Sequence, residues 1–392
     1  MINNNEIITG LDLGQSKTAV VVGRVAHDGV HILGIGSAPT QGFSRGQITN
    51  MESAAESIRR AVREAQVSSG QEIDSVYVSI AGQHILGLNG QGYGRISSGE
   101  VDQADIDQAV DSARTVAIPL ERKILHIIPQ EFKIDDQEGI KNPLGMSGGL
   151  LEVKAYVITG GLISTPKLLK TCEQARLQVN ELVLDQLAAA ESVLSLQEKQ
   201  QGVILIEMGG GLTKVAIYAD GVLVHAGFVM IGGRTLTDEV AIGLRIPLGK
   251  GAEQLKLTYG LALRSNETVG ETFTASSVRN LPDRKFPLSI LTEIIKPRAL
   301  EILGQVKQQI EQSGYGDQIA AGVVLCGGGA RLRGFQELTA EILEKPVRIG
   351  LPQGFQGRED LVSDPAYATA VGLVLRAAKG RSPQEQRQEV AA

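Results

Sequence analysis

The feature that most restricts what this chain can fold into is a short pattern written twice. From Thr9 to Val22 an apolar strand ends in Asp12, the turn Gly14-Gln15-Ser16-Lys17 follows, and a second β-branched strand runs away from it. A shift of 195 positions carries Asp12 onto Glu207 and the turn onto Gly209-Gly210-Gly211-Leu212. The return strand falls on the run that starts at Thr213. In each copy the turn amides can point inward as anion donors, and glycine lets the backbone approach a ligand closely. A carboxylate at the strand end can hold a hydrated magnesium ion. Two such hairpins facing each other would clamp one triphosphate between two related domains; a merely structural duplication is the alternative.

Composition narrows the class. A chain of 392 residues is long enough for two or more domains. The formal net charge of -6 gives no reason to expect a nucleic-acid partner. Both cysteines, Cys172 and Cys326, lie in apolar surroundings. They read as buried small residues of a reducing cytoplasm, not as a disulfide or metal pair. Residues 1–6 are polar and a strand follows at once, so no secretory signal is expected. No apolar run approaches the roughly 18 to 20 residues of a membrane span.

Along the chain, strands are expected at 7–13, 18–26, 30–37 and 75–81, with an amphipathic helix at 51–69. Residues 82–99 are glycine-rich with short apolar pieces. A helix over 102–117, N-capped by Asp102, and strands at 124–134 and 150–159 complete a small α+β module at 82–159, inserted in the first domain. The first domain therefore comprises 1–81 and 160–201, with helices at 165–177 and 185–196. The second covers 202–378: strands at 203–208, 213–219 and 222–229 in the order seen at the N-terminus, then helices at 235–244, 252–259 and 289–313. Its smaller part spans about 235–315. Pro297 could kink the last of those helices. A strand at 321–326, a turn at 327–329 and helices at 334–343 and 364–378 follow. Residues 379–392 form a polar tail, expected to be disordered.

Two further motifs carry chemistry. Gly327-Gly328-Gly329 stands between a strand and a helix, where backbone can approach a flat ligand such as an adenine; an ordinary turn is the bland alternative. Glu253 and Lys256 share a helix face. They could hydrogen-bond a ribose, or form a surface ion pair.

These residues resemble the actin/Hsp70/sugar-kinase superfamily, and further motifs narrow the resemblance. The insert carries His126-Ile127-Ile128-Pro129-Gln130-Glu131-Phe132 and Asn142-Pro143-Leu144-Gly145-Met146-Ser147-Gly148. The second domain carries Ile231-Gly232-Gly233, Leu236-Thr237-Asp238 and Ala252-Glu253-Gln254-Leu255-Lys256, and the end carries Ala368-Thr369-Ala370-Val371-Gly372-Leu373. Together they are similar to the FtsA family of bacterial actin-like cell-division proteins, over about residues 6–378. The resemblance implies an α/β, actin-like (ribonuclease H-like) fold with four subdomains, ATP and Mg2+ in the cleft, and head-to-tail filaments. It also implies a link between the FtsZ ring, other divisome proteins and the cytoplasmic face of the membrane at the division site.

By the same resemblance, Gly14, Gln15, Ser16 and Lys17 form the first phosphate loop, and Gly209, Gly210, Gly211 and Leu212 the second. Glu253 and Lys256 would contact the ribose, and Gly327, Gly328 and Gly329 the adenosine. Asp12, Glu207 and Asp185 are the candidate catalytic carboxylates, with Asp12 and Glu207 holding magnesium mainly through water. Three departures stand out. Position 207 is usually aspartate, position 214 is often acidic where this chain has Lys214, and Asp185-Gln186 stands where Glu-Pro is common. Glu207 puts its carboxylate deeper in the cleft, and a misplacement of ~1 Å can cost ~100-fold in rate. The expectation is a chain that binds ATP and hydrolyses it slowly or not at all. Lys214 either adds positive charge near the phosphates or points outward on its strand.

Between residues 279 and 298, Arg279, Arg284, Lys285, Lys296 and Arg298 outnumber two acidic residues, Asp283 and Glu293. The family docks the acidic C-terminal tail of FtsZ on this subdomain, so Arg279, Arg284, Lys285 and Arg298 are the candidate partner contacts; a solvated basic helix is the alternative. The family's C-terminal amphipathic anchor has no counterpart in residues 381–392, which lack an apolar face. Lipid binding by that route is therefore not expected of this chain. The competing readings are a small-molecule kinase of the same superfamily, whose acceptor base and polar sugar pocket are not found, and a pilus-assembly relative.

Overall fold

Burial explains the two central strands. Leu11, Val20, Ile206 and Val215 on one face of their sheets, and Ile8, Val21, Leu205 and Ala216 on the other, are all 1% exposed or less, so their strands are apolar on both faces. The computed structural model describes residues 6–115, 118–263, 270–275 and 283–380. Its first main sheet orders the strands Gln178–Leu184, Ser75–Ile80, Glu6–Leu13, Lys17–Ala26, Gly29–Pro39 and Gln356–Gly357. Its second orders Val222–Val229, Thr213–Ala219, Val203–Met208, Val323–Cys326 and Val347–Ile349.

The two sheets repeat one topology. In each, three consecutive strands form an antiparallel meander and two later strands extend it in parallel from its first strand; in the first sheet Gln356–Gly357 adds a further parallel strand at the opposite edge. Asp12 pairs with Ala19 across the first hairpin, and Glu207 with Lys214 across the second, so the 195-residue shift holds in three dimensions. Both turns close with the same bond: Gly14 N–H donates to the Lys17 carbonyl at 3.1 Å, and Gly209 N–H to the Leu212 carbonyl at 3.0 Å.

The inserted sheet orders Ile85–Arg95, Leu150–Gly161, Arg122–Ile134 and Gln137–Ile140, under helix Gln103–Ser112. Asp102 caps that helix in a reciprocal box with Asp105. The glycine-rich stretch expected as short pieces is one strand. Its glycines are steric: a Cβ at Gly92 would lie 2.0 Å from the Ala109 carbonyl of the helix above, and one at Gly87 1.9 Å from the Tyr156 hydroxyl. The helix ends at Ser112 and a short 3-10 turn, Ala113–Thr115, follows. The helix expected at 185–196 is two: Asp185–Val193 stops at extended Leu194, and Ser195 caps Leu196–Gln201. The long helix Ser289–Ser313 runs through Pro297 as one element. Both cysteines are free and buried. The polar tail beyond residue 380 lies outside the described residues.

Two helices tie the halves together. Asp185–Val193 and Ala368–Lys379 cross so closely that a Cβ at Gly372 would meet the Ala188 carbonyl at 1.7 Å. Their N-terminal ends deliver Asp185 and Thr369 to the space between the two hairpins.

Candidate functional site: the cleft between the two hairpins

The hairpins face each other. The Ser16 Oγ lies 2.1 Å from where a Cβ on Gly210 would stand, and the Gln15 amide oxygen 1.8 Å from one on Gly211. A larger residue at either position would have to displace the Ser16 or Gln15 side chain. The loops wall one end of a cleft of about 950 Å3, whose lining includes Asp12, Glu207, Glu253, Lys256, Arg331 and all three glycines 327–329. Gln15 and Gly211 also line an adjoining cavity of about 600 Å3, and Leu212 faces that one. Every expected nucleotide-contact residue thus lines one of two connected spaces.

The glycines at 327–329 divide by role. Gly327 has φ 81°, and a Cβ there would lie 2.6 Å from the Met208 carbonyl; one on Gly329 would strike the Met208 side chain. The neighbouring strand requires these two. Nothing comes closer than 3.8 Å to a Cβ on Gly328, which leaves that position open on the cleft side.

Glu253 and Lys256 are not a surface pair. Lys256 is 6% exposed. Its Nζ donates to the Gly233 carbonyl at 3.0 Å, the Thr237 hydroxyl at 3.0 Å and Glu253 at 2.8 Å. Thr237 Oγ1 also donates to Glu253. Burial lowers the Lys256 pKa, and Glu253 opposes the shift. At the other end of the cleft, Lys17 Nζ lies 3.2 Å from the Tyr367 ring centroid. Burial brings its pKa down to about 8 although Asp12 and Asp364 pull the other way.

The carboxylates gather around a lysine. Lys214 turns inward toward the cleft and not out to solvent. Its Nζ is 2.9 Å from Glu207 Oε1 and donates to Asp185 Oδ2 as well. Thr369 Oγ1 donates to the same Glu207 oxygen at 2.9 Å, and Ser79 Oγ to Asp12 Oδ1 at 2.8 Å. Burial works against the Lys214 charge, but Asp185, Glu207 and Asp12 outweigh it and raise the ammonium above its usual range. Burial lifts Asp185 to about 7 despite Lys214, helped by the charges of Asp12 and Glu207.

This arrangement does not fit a magnesium ion ligated directly by Asp12 and Glu207. One oxygen of each carboxylate is already engaged: Asp12 Oδ1 accepts from Ser79, and Glu207 Oε1 from both Lys214 and Thr369. Among the described residues no group of three or more acidic, histidine or cysteine side chains is arranged to hold a metal. The sequence reading missed Ser79, Thr369, Tyr367 and Arg331, which pairs with Asp364 at 2.9 Å. Thr369 stands inside the Ala368–Leu373 motif, but nothing in that motif gives it a role in the cleft, and each of the four reaches the cleft from a different element.

The basic patch is more fully paired than its composition suggests. Arg298 bridges Glu239 and Glu301. Arg284 donates to the Leu244 carbonyl and lies over the Phe286 ring. Lys285 is exposed and Lys296 partly so, while Arg279 lies outside the described residues.

Comparison with known proteins agrees with this geometry. Residues 82–159 match the model "SHS2 domain inserted in FTSA", and residues 204–372 the model "Cell division protein FtsA". The FtsA cell-division protein of Pseudomonas aeruginosa is 40% identical over 95% of this chain and 90% of its own length. The chain belongs to the FtsA family. The FtsA of Neisseria meningitidis is 37% identical over 98% of the chain and 94% of its own length. Solved structures share the actin-like fold at lower identity. A chain of the PilM-PilN type IV pilus biogenesis complex has a TM-score of 0.69 at 17% identity, covering 95% of this chain and 98% of that one. MreB5 of Spiroplasma citri, in a structure bound to ADP, has a TM-score of 0.58 at 14% identity, covering 96% and 98%.

Proposed function

We propose that this chain binds ATP in the cleft between its hairpins and acts as the filament-forming adaptor that joins the FtsZ ring to the membrane. The observation that carries the reading is the meeting of both glycine turns, Gly328 and the Glu253–Lys256 pair around one cleft, in a chain of this family. The MreB5 relative, whose structure holds ADP, supports a nucleotide as the ligand of the fold. The loop amides and Lys17 would take the phosphates, Gly328 the adenine face, and Glu253 and Lys256 the ribose. Any magnesium would arrive on the phosphate oxygens. Hydrolysis would be slow, because Lys214 and Thr369 hold Glu207 and leave it a poor base for water.

Self-association would run head to tail through the inserted module and the second domain. The exposed Lys285 and Arg284 would meet the acidic FtsZ tail, with other divisome proteins as further partners. No described helix is long and apolar enough to cross a membrane; attachment at the cytoplasmic face of the division site would be peripheral. Sedimentation of the purified chain with ATP, with and without an FtsZ-tail peptide, tests the reading. Filaments in the pellet and retention of the peptide are expected. A chain that stays in the supernatant with ATP and releases the peptide would refute it.

A further inference from the structure

One difference between the two hairpins lies directly across from their strand-end carboxylates. Ala19 stands opposite Asp12, and Lys214 stands opposite Glu207. Both residues are buried, but only the second brings a charge. The Lys214 ammonium contacts Glu207 and Asp185 directly, and its side chain is 9% exposed. An ammonium has three N–H donors, and these two carboxylates use two of them. The third belongs to a group that lines both cavities. Asp185 Oδ1 and Glu207 Oε2 are buried and accept no hydrogen bond. They are suited to ordered water between the carboxylates and a ligand. A magnesium ion needs oxygens at about 2.0–2.1 Å in octahedral order and keeps several of its waters. Seated on these carboxylates, it would stand against the ammonium.

We propose that Lys214 is the resident counter-ion of this cleft, standing where a divalent cation would otherwise be held, so that nucleotide binds without a metal ligated by the protein. This rests on the nucleotide reading above. The charge that a metal would bring to Asp185 and Glu207 is already present and covalently fixed. It does not depend on the cation concentration, and its third N–H remains for a phosphate oxygen or a bridging water.

Calorimetric titration of ATP into the full chain, once with excess magnesium and once with EDTA, tests the idea. Affinities within about threefold of each other are expected, and a loss beyond ~10-fold in EDTA would overturn it. Absence of heat in both conditions would refute the nucleotide reading instead. A second arm needs no nucleotide. Manganese alone, followed by the electron paramagnetic resonance of the free ion, should find no site in the wild-type cleft and should gain one in Lys214→Gln. Equal manganese binding by both proteins would overturn the inference. Should Lys214→Gln fail to fold, a wild-type site that binds manganese in the absence of nucleotide would do the same.

Discussion

Replacing Lys214 with methionine keeps most of the side-chain volume and removes the only cation among the described residues that touches Glu207 and Asp185. Both carboxylates are 6% exposed or less, so water cannot take over the role of the ammonium. Breaking a buried pair by removing one partner costs about 3–5 kcal/mol. Asp185 softens this. Its carboxyl titrates at about 7 even beside the lysine, and without it the proton is held to still higher pH. At about pH 8 the loss should therefore lie near 3 kcal/mol, and at about pH 6 it should be smaller because a protonated Asp185 needs no counter-ion. The double variant Lys214→Met/Glu207→Gln removes a charge of each sign and should recover part of the loss. The chain has no tryptophan, so denaturant unfolding is best followed by far-ultraviolet circular dichroism. A loss under ~1 kcal/mol at about pH 8, the range of an exposed salt bridge, would refute the buried cluster.

Three other outcomes follow from the geometry. Gly328→Val should leave the unfolding midpoint nearly unchanged, since its Cβ meets nothing within 3.8 Å, yet weaken ATP binding by ~10-fold in a calorimetric titration; Gly327→Val should instead destabilise the fold. Asp185 has a folded pKa raised above the unfolded value of 3.8, so its favourable contribution is complete below about pH 4 and is lost as pH rises through about 7. Thermal melts of Asp185→Asn should therefore gain on wild type as pH rises from about 5 to about 8. Gly372→Val should force the two linking helices apart and lower stability by about 1–3 kcal/mol or more, visible as a lower denaturation midpoint.

The hairpins were legible because their chemistry is local. A carboxylate, a small-residue turn and a β-branched run are adjacent in the chain, and copying them 195 positions on leaves no other reading of the order. The direction of Lys214 was not legible. Alternation fixes which side of the strand it takes, but Asp185 reaches it from the start of a distant helix. Strand Gln178–Leu184 escaped notice because Asn180 and Glu181 break its alternation, and the pairing register slips between Val179 and Glu181. Strand Ile85–Arg95 reads as fragments because glycine is a poor strand former; the helix above it accounts for Gly92 and Gly94, and Tyr156 of the neighbouring strand for Gly87. In the basic patch, the Arg298–Glu301 pair follows from helical spacing, whereas Glu239 comes from another helix and removes charge that composition had counted as free.

The grip of both hairpins on one triphosphate is tested most directly by calorimetric titration of ATP into the full chain and into Ser16→Glu and Gly211→Glu, one acidic intrusion per turn. The expected result is a single saturable site in the wild type, lost in each variant while circular dichroism stays native. Equal affinity in all three proteins would place the nucleotide elsewhere and contradict the two-sided clasp.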